Sequence, residues 1–167
     1  MSDVTLRPGH ESDAPAIAAI LNHYIAHTTT TFFTEPVTTE DRHAWITRRL
    51  PEHTLWVADL QGQAIGWAAL SDHKARGGYQ HTVENSIYLH PAHVRRGLGQ
   101  RLLQLVIDDA RRAGFHVLMA GACAESAASI ALHERAGYER VGHFRQVGRK
   151  FDRWLDVIYM QKFLQTP

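Results

Sequence analysis

The segment from Tyr79 to Ala122 restricts the fold more than any other part of the chain. It reads as an alternating strand over Tyr79–Leu89, then a basic turn, Val94-Arg-Arg-Gly-Leu-Gly-Gln100. A helix over Leu98–Ala113 and an apolar strand over His116–Ala122 follow. A strand, a helix and a second strand in that order form a crossover unit, so the two strands lie parallel in one sheet. Leu98, Leu102, Leu105, Val106 and Ala110 give the helix one apolar stripe, and Gly114 ends it.

The same turn proposes a ligand. Gly97 and Gly99 leave main-chain N–H groups unshielded at a helix start, where amides lack intrahelical partners and carry the positive end of the helix dipole. Such a turn suits a diphosphate, and Arg95, Arg96 and Arg101 add charge around it. Glycine at a helix entry also serves plain turn geometry. The chain has no G-x-x-x-x-G-K-[ST] loop and no G-x-G-x-x-G after its first strand. The turn alone therefore leaves diphosphate binding and ordinary helix entry both open.

Around this unit the pattern gives a strand at Val4–Arg7 and a helix at Glu11–Ala26 capped near its start by Ser12, which Asp13 follows. A polar loop over Thr28–Pro36 leads to a second helix from Thr38 or Thr39 to about Leu50. A hairpin joins Leu55–Leu60 to Ala64–Leu70 through Gln61-Gly62, and Ser71–Gly78 is a basic loop. A short helix at Ser126–Arg135 and strands at Tyr138–Gly148 and Trp154–Phe163 complete the chain. The expected fold is α/β (α+β): one domain over residues 1–167, with a mixed, mostly antiparallel twisted sheet of about seven strands and helices on both faces.

Bulk properties exclude several classes. A net charge of +1 argues against nucleic acid as the main partner. Cys123 is the only cysteine, which rules out an intramolecular disulfide and a thiolate zinc site. His90 and His93 stand in a turn rather than on one helix face, so no metal is expected. The N-terminus lacks an apolar signal region and no apolar run is long enough for a bilayer, so a cytoplasmic protein without membrane contact is expected.

The order of elements and the turn Arg95-Arg-Gly-Leu-Gly99 resemble the Gcn5-related N-acetyltransferases. Leu21-Asn-His-Tyr-Ile25, Phe32-Phe-Thr-Glu-Pro36, Lys74-Ala-Arg76, Tyr79, Thr82-Val-Glu-Asn-Ser-Ile-Tyr88 and Leu132-His-Glu-Arg-Ala-Gly-Tyr138 are similar to the phosphinothricin and methionine-sulfoximine acetyltransferase group. The likeness runs from the first helix to the last strands. It implies acetyl-CoA as co-substrate, with its diphosphate on Val94, Arg95, Arg96, Gly97, Leu98, Gly99 and Gln100. Its pantetheine arm then lies along Tyr88 and Leu89, and Ser126, Ser129 and His133 flank that arm. Two positions depart from the family: Val94 stands where Gln or Arg is usual, and Ser126 where Asn is usual.

Acetyl transfer to an amine requires that the ammonium lose a proton, which a nearby carboxylate accepts directly or through one water. Glu84 is the candidate. An acidic side chain in a central strand is costly unless paired or employed, and the resemblance assigns it the base position. A solvent-facing strand residue or a structural ion pair is the plainer alternative. His133 follows Ser126 by two turns, on nearly the same face. The resemblance makes it an acid, a second base or a positioning group, and structural histidine is the bland alternative. Lys74, Arg76 and Tyr79 suit a small carboxylate or oxyanion. Thr82 adds a hydrogen bond and Phe32 an apolar wall. Charge on the carbonyl oxygen meets a main-chain N–H within Asn85–Leu89, where the family's strand splays from its neighbour. Cys123 and Tyr138 are read as packing. Arg145, Arg149, Lys150, Arg153 and Trp154 surround the final hairpin, which the family uses near a homodimer partner. The acceptor expected is a small amino acid or an analogue such as phosphinothricin or methionine sulfoximine. Another amine acceptor and a non-catalytic acyl-CoA sensor are the rival readings.

Overall fold

A computed structural model describes residues 4–49 and 51–164. Seven strands run in chain order: β1 (Val4–Pro8), β2 (Leu55–Leu60), β3 (Gln63–Asp72), β4 (Thr82–Leu89), β5 (Val117–Cys123), β6 (Glu139–Lys150) and β7 (Arg153–Phe163). They form one sheet in the order β1-β2-β3-β4-β5-β7-β6. Only β4 and β5 pair in parallel, as the crossover required. Helices α1 (Ala14–His27), α2 (Thr39–Thr47), α3 (Leu98–Arg112) and α4 (Ala127–Arg135) complete the fold.

The helices divide between the two faces. On one face α1 and α2 set Ile17, Ile20, Trp45 and Ile46 against Leu55, Val57, Trp67 and Ala69. On the other, Leu98, Leu102, Leu103, Val106, Ile107 and Ala110 of α3 join Ile130 of α4 over Ala58, Ile65, Val83 and Leu118. Leu102, Leu103 and Val106 are fully buried, and each contributes about 1.5–3 kcal/mol through burial. Strand β3 serves both faces by alternation, and a bulge opposite Ala58/Asp59 resets the phase, so that Ile65 and Ala68, three residues apart, share one core.

Local rules explain most boundaries, and the structure revises some. The first helix begins with a 3-10 turn at Glu11–Asp13, whose cap is His10 rather than Ser12. Asp13 returns a bond to the His10 N–H and holds Arg7, which also reaches Asp59 at 2.8 Å. Thr38 and Asp41 form a reciprocal cap on α2. That helix stops at Thr47, short of Leu50, which lies outside the described residues. Arg49 forces the exit by donating to the carbonyls of His53, Thr54 and Leu70. Strand β3 extends to Asp72, and β4 starts at Thr82 because Gly77–Tyr79 folds as a 3-10 turn. Among the described residues, no helix is long and apolar enough to cross a membrane.

Candidate active site

The parallel pair is short. Strand β4 meets β5 only at Thr82↔Val117, Val83↔Leu118 and Glu84↔Met119. Beyond Glu84, β4 continues along β3 as far as Leu89, while β5 continues along β7 as far as Cys123. The two strands fork. Two cavities lie in the fork, and Thr30, Ile87, Tyr88, Ser126 and Ser129 line both, so they are continuous.

The outer cleft, about 810 Å³, runs from Ser126 and Ser129 past Tyr88 and Leu89 to the glycine turn. Val94, Arg95, Gly97, Gly99 and Gln100 line its far end. Arg95 and Gly97 hold positive φ of 61° and 76°, which turns the chain sharply into α3. The first helical bond in this region is Arg101 N–H to Gly97 O, so the amides before it have no partner inside the helix. A Cβ built on Gly99 would stand 3.5 Å from Leu132 and 3.7 Å from Leu89, an ordinary packing distance. Nothing within the protein demands glycine there, whereas close approach of a ligand to the main chain would. The turn and cleft therefore fit a diphosphate followed by an extended arm. Two residues expected on the cofactor take other places. Arg96 is not among the residues lining the cleft, and the Leu98 side chain is buried in the core. The amide of Leu98 alone remains available to a ligand.

The inner cavity, about 250 Å³, holds Glu84 at the crotch of the fork together with Phe32, Thr31, Asn85, Gly121 and Tyr159. The Glu84 side chain is one-third exposed, and its carboxylate is the only charged group on that lining. Tyr159 of β7 reaches the cavity opposite Gly121. Burial and the neighbouring Glu84 charge both raise its phenol above the ordinary tyrosine value.

His133 lines the inner cavity with Ser126 and Ser129. Its ring is buried, with Nδ1–H donating to Ser129 O at 2.8 Å and Nε2 accepting from the Asn85 amide at 2.9 Å. Tyr138 closes the chain by donating to Asn85 Oδ1 at 2.8 Å. Both ring nitrogens are consumed inside the protein, so neither is presented to a departing thiol. Desolvation lowers the ring's pKa from 6.5, outweighing the Ser129 bond, and the imidazole is neutral at pH 7. The Asn85 bond ties α4 to β4 at the fork. Tyr138 packs, as expected, and desolvation raises its phenol as well.

The structure does not bring the expected acceptor residues together. Phe32 lines the inner cavity, but Lys74, Arg76, Tyr79 and Thr82 lie outside both linings. Lys74 sits over the Tyr79 ring at 5.1 Å, and Arg76 is exposed on the same loop. Lys150, expected on an exposed turn, is buried and donates to Thr31 O at 2.8 Å, which fastens the loop bearing Phe32 to β6. Asn85, Tyr159, Thr31 and His73 belong to the site but escape the sequence pattern. An isolated tyrosine among the apolar residues of the last strand was the one available signal.

Comparison with known proteins agrees with this geometry. The acetyltransferase (GNAT) family matches residues 18–138. The L-methionine sulfoximine/L-methionine sulfone acetyltransferase of Salmonella typhimurium is 41% identical over 159 residues, covering 95% of this chain and 93% of the relative. The phosphinothricin N-acetyltransferase of Streptomyces coelicolor is 37% identical, covering 96% of each chain. An acetyltransferase structure from Salmonella typhimurium, solved with its cofactor acetyl-CoA, superposes with a TM-score of 0.93 at 40% identity. It covers 97% of this chain and 94% of the other.

Proposed function

The chain belongs to the GNAT acetyltransferase family, and from that premise we propose that it acetylates the α-amino group of a small amino acid or analogue. Methionine sulfoximine, methionine sulfone and phosphinothricin are the acceptors to test first, in keeping with the relatives. The observation that carries the reading is the continuity of the two cavities, with one carboxylate at their inner end.

Acetyl-CoA supplies the activated acetyl group. The amides of the 95–100 turn hold its diphosphate, and the fork admits its arm alongside Tyr88 and Leu89. Glu84 takes one proton from the acceptor ammonium, directly or through one water. The freed amine attacks the acetyl carbon, the C–S bond breaks with its electron pair going to sulfur, and the second amine proton passes to that thiolate, directly or through solvent, as the amide forms. A main-chain N–H of Asn85–Leu89, released from sheet pairing by the fork, meets the charge on the carbonyl oxygen. The hydroxyls of Ser126 and Ser129, on the lining common to both cavities, are donors available to the departing sulfur. Cys123 is buried, which supports direct transfer in a ternary complex over a protein thioester. Phe32 forms the apolar wall, and Lys74, Arg76, Tyr79 and Thr82 meet the acceptor carboxylate if their loop folds inward on binding. A homodimer is part of the same proposal, with Phe144, Val147 and Trp154 exposed along the β6–β7 edge as its contact face. A cytoplasmic setting, where acetyl-CoA is made, completes it.

The decisive experiment is a panel of amines read by thiol release. The Glu84→Gln variant should lose at least 100-fold in kcat and keep its calorimetric affinity for acetyl-CoA. Undiminished turnover would remove Glu84 from the base role. Acetyl-CoA binding without thiol release from any amine would favour the sensor reading.

A further inference from the structure

The two oxygens of the Glu84 carboxylate occupy different settings. Oε1 faces Gly121, 3.8 Å from the point where a Cβ would stand, and so looks across the inner cavity. Oε2 points the other way and lies 3.2 Å from His73 Nδ1. An ionised carboxylate only accepts, so the imidazole tautomer with Nδ1–H is the one that donates here.

His73 is placed for this contact by the sheet. It directly follows β3, whose Ser71 and Asp72 lie opposite Glu84 and Val83 in register. Lys74, Ala75 and Arg76, the residues after it, are all exposed, yet the His73 side chain is only 14% exposed. Its ring meets the Tyr79 ring edge-on at 5.8 Å, and Lys74 covers that same Tyr79 ring. The surrounding charged and titratable groups are few. Tyr159 faces Glu84 from β7, Tyr79 and Lys74 back the imidazole, and Asp72 is turned aside to His53 at 3.2 Å. No other side chain donates to the Glu84 carboxylate among the described residues; the Ser71 hydroxyl reaches only its main-chain carbonyl.

We propose that His73 is the positioning residue of the transfer: its Nδ1–H holds Glu84 Oε2, fixing the rotamer that aims Oε1 at the acceptor amine. The inference rests on the reading of Glu84 as base and adds what that reading lacks, a reason for the carboxylate to stand in one orientation. A glutamate with its three side-chain torsions free spends little time in a geometry fit for proton transfer, and misplacement by about 1 Å costs up to 100-fold in rate. The contact also joins the loop carrying Lys74, Arg76 and Tyr79 to the base through one ring.

The test compares His73→Phe, His73→Asn and Glu84→Gln in steady-state thiol release, with methionine sulfoximine as acceptor. Phenylalanine keeps the ring volume and the Tyr79 contact but has no donor. Asparagine returns an N–H near the position of Nδ1. We expect kcat to fall about 10- to 100-fold in His73→Phe, with KM for acetyl-CoA within twofold of the parent. His73→Asn should recover to within about threefold of the parent. Full turnover in His73→Phe, or an Asn variant as slow as Phe, overturns the proposal. If His73→Phe lowers the thermal midpoint, His73→Ala against His73→Asn makes the same comparison without a ring to place. An active Glu84→Gln would sink the base assignment itself, whereas an inactive Glu84→Gln beside a fast His73→Phe would sink only the positioning role.

Discussion

Gly148 offers a sharp test of how the acceptor cavity is shaped. It lies in β6 opposite Leu155, and its φ is outside the left-handed region, so alanine is conformationally acceptable there. Space is the constraint. A Cβ at this position would stand 2.4 Å from Phe32 Cε2, 2.7 Å from Cδ2 and 3.1 Å from Cζ. Carbon atoms in contact prefer about 3.5–4.0 Å, so the Phe32 ring must retreat by somewhat more than 1 Å. Strand β6 backs the ring and the inner cavity lies before it, so the retreat narrows the space for the acceptor. Overpacking of this kind costs about 1–3 kcal/mol. If that cost falls on acceptor binding, Gly148→Ala raises the acceptor KM roughly 5- to 150-fold. KM for acetyl-CoA, measured at saturating acceptor, should change less than twofold, because Gly148 does not line the outer cleft. In a Phe32→Leu background the clash is relieved and the same substitution should be close to neutral, which a double-mutant cycle in the thiol-release assay measures. Equal effects of Gly148→Ala in the two backgrounds would refute the steric explanation.

Two further outcomes follow from the geometry of the turn and of the buried histidine. Gly99→Ala has room within the protein, so its thermal midpoint should match the parent while its calorimetric affinity for acetyl-CoA falls about tenfold or more; unchanged affinity would separate the glycine turn from the ligand. His133 has a pKa below 6.5 because it is buried, so on acidification the unfolded chain takes up the proton first. Stability is therefore lost as pH falls from 6.5 towards the folded-state value, by at most about 1.4 kcal/mol per pH unit, and no further below that value. Urea midpoints between pH 7.5 and 5 should fall less steeply for His133→Gln than for the parent, and parallel curves would refute the assignment.

The order of elements was legible because it rests on periodicity and punctuation. The stripe Leu98, Leu102, Val106 and Ala110 demanded a helix, and the apolar run after Gly114 demanded a strand beside the one before the turn. The fork itself does not follow from that pattern. It depends on how far β4 and β5 stay paired: beyond Glu84, β4 follows β3 while β5 follows β7, a strand some thirty residues further on, and the two diverge. Residues whose character is set by distant partners were correspondingly misread. Lys150 stands in a run of charged and aromatic residues that reads as a solvated hairpin. It is buried because loop 28–36 lays the Thr31 carbonyl over it, and that desolvation lowers its pKa below the ordinary lysine value. His133 reads as a helix residue near the cofactor arm, and its ring is instead satisfied by Asn85, a residue 48 positions earlier. The carboxylate could be chosen from sequence because a charge in a central strand is conspicuous and the family resemblance assigns that position the base. The groups around it could not, because His73, Tyr159 and Phe32 come beside it only when three separate loops and strands converge on the fork. Sequence therefore points to the carboxylate, and the packing of the sheet decides which way its two oxygens face.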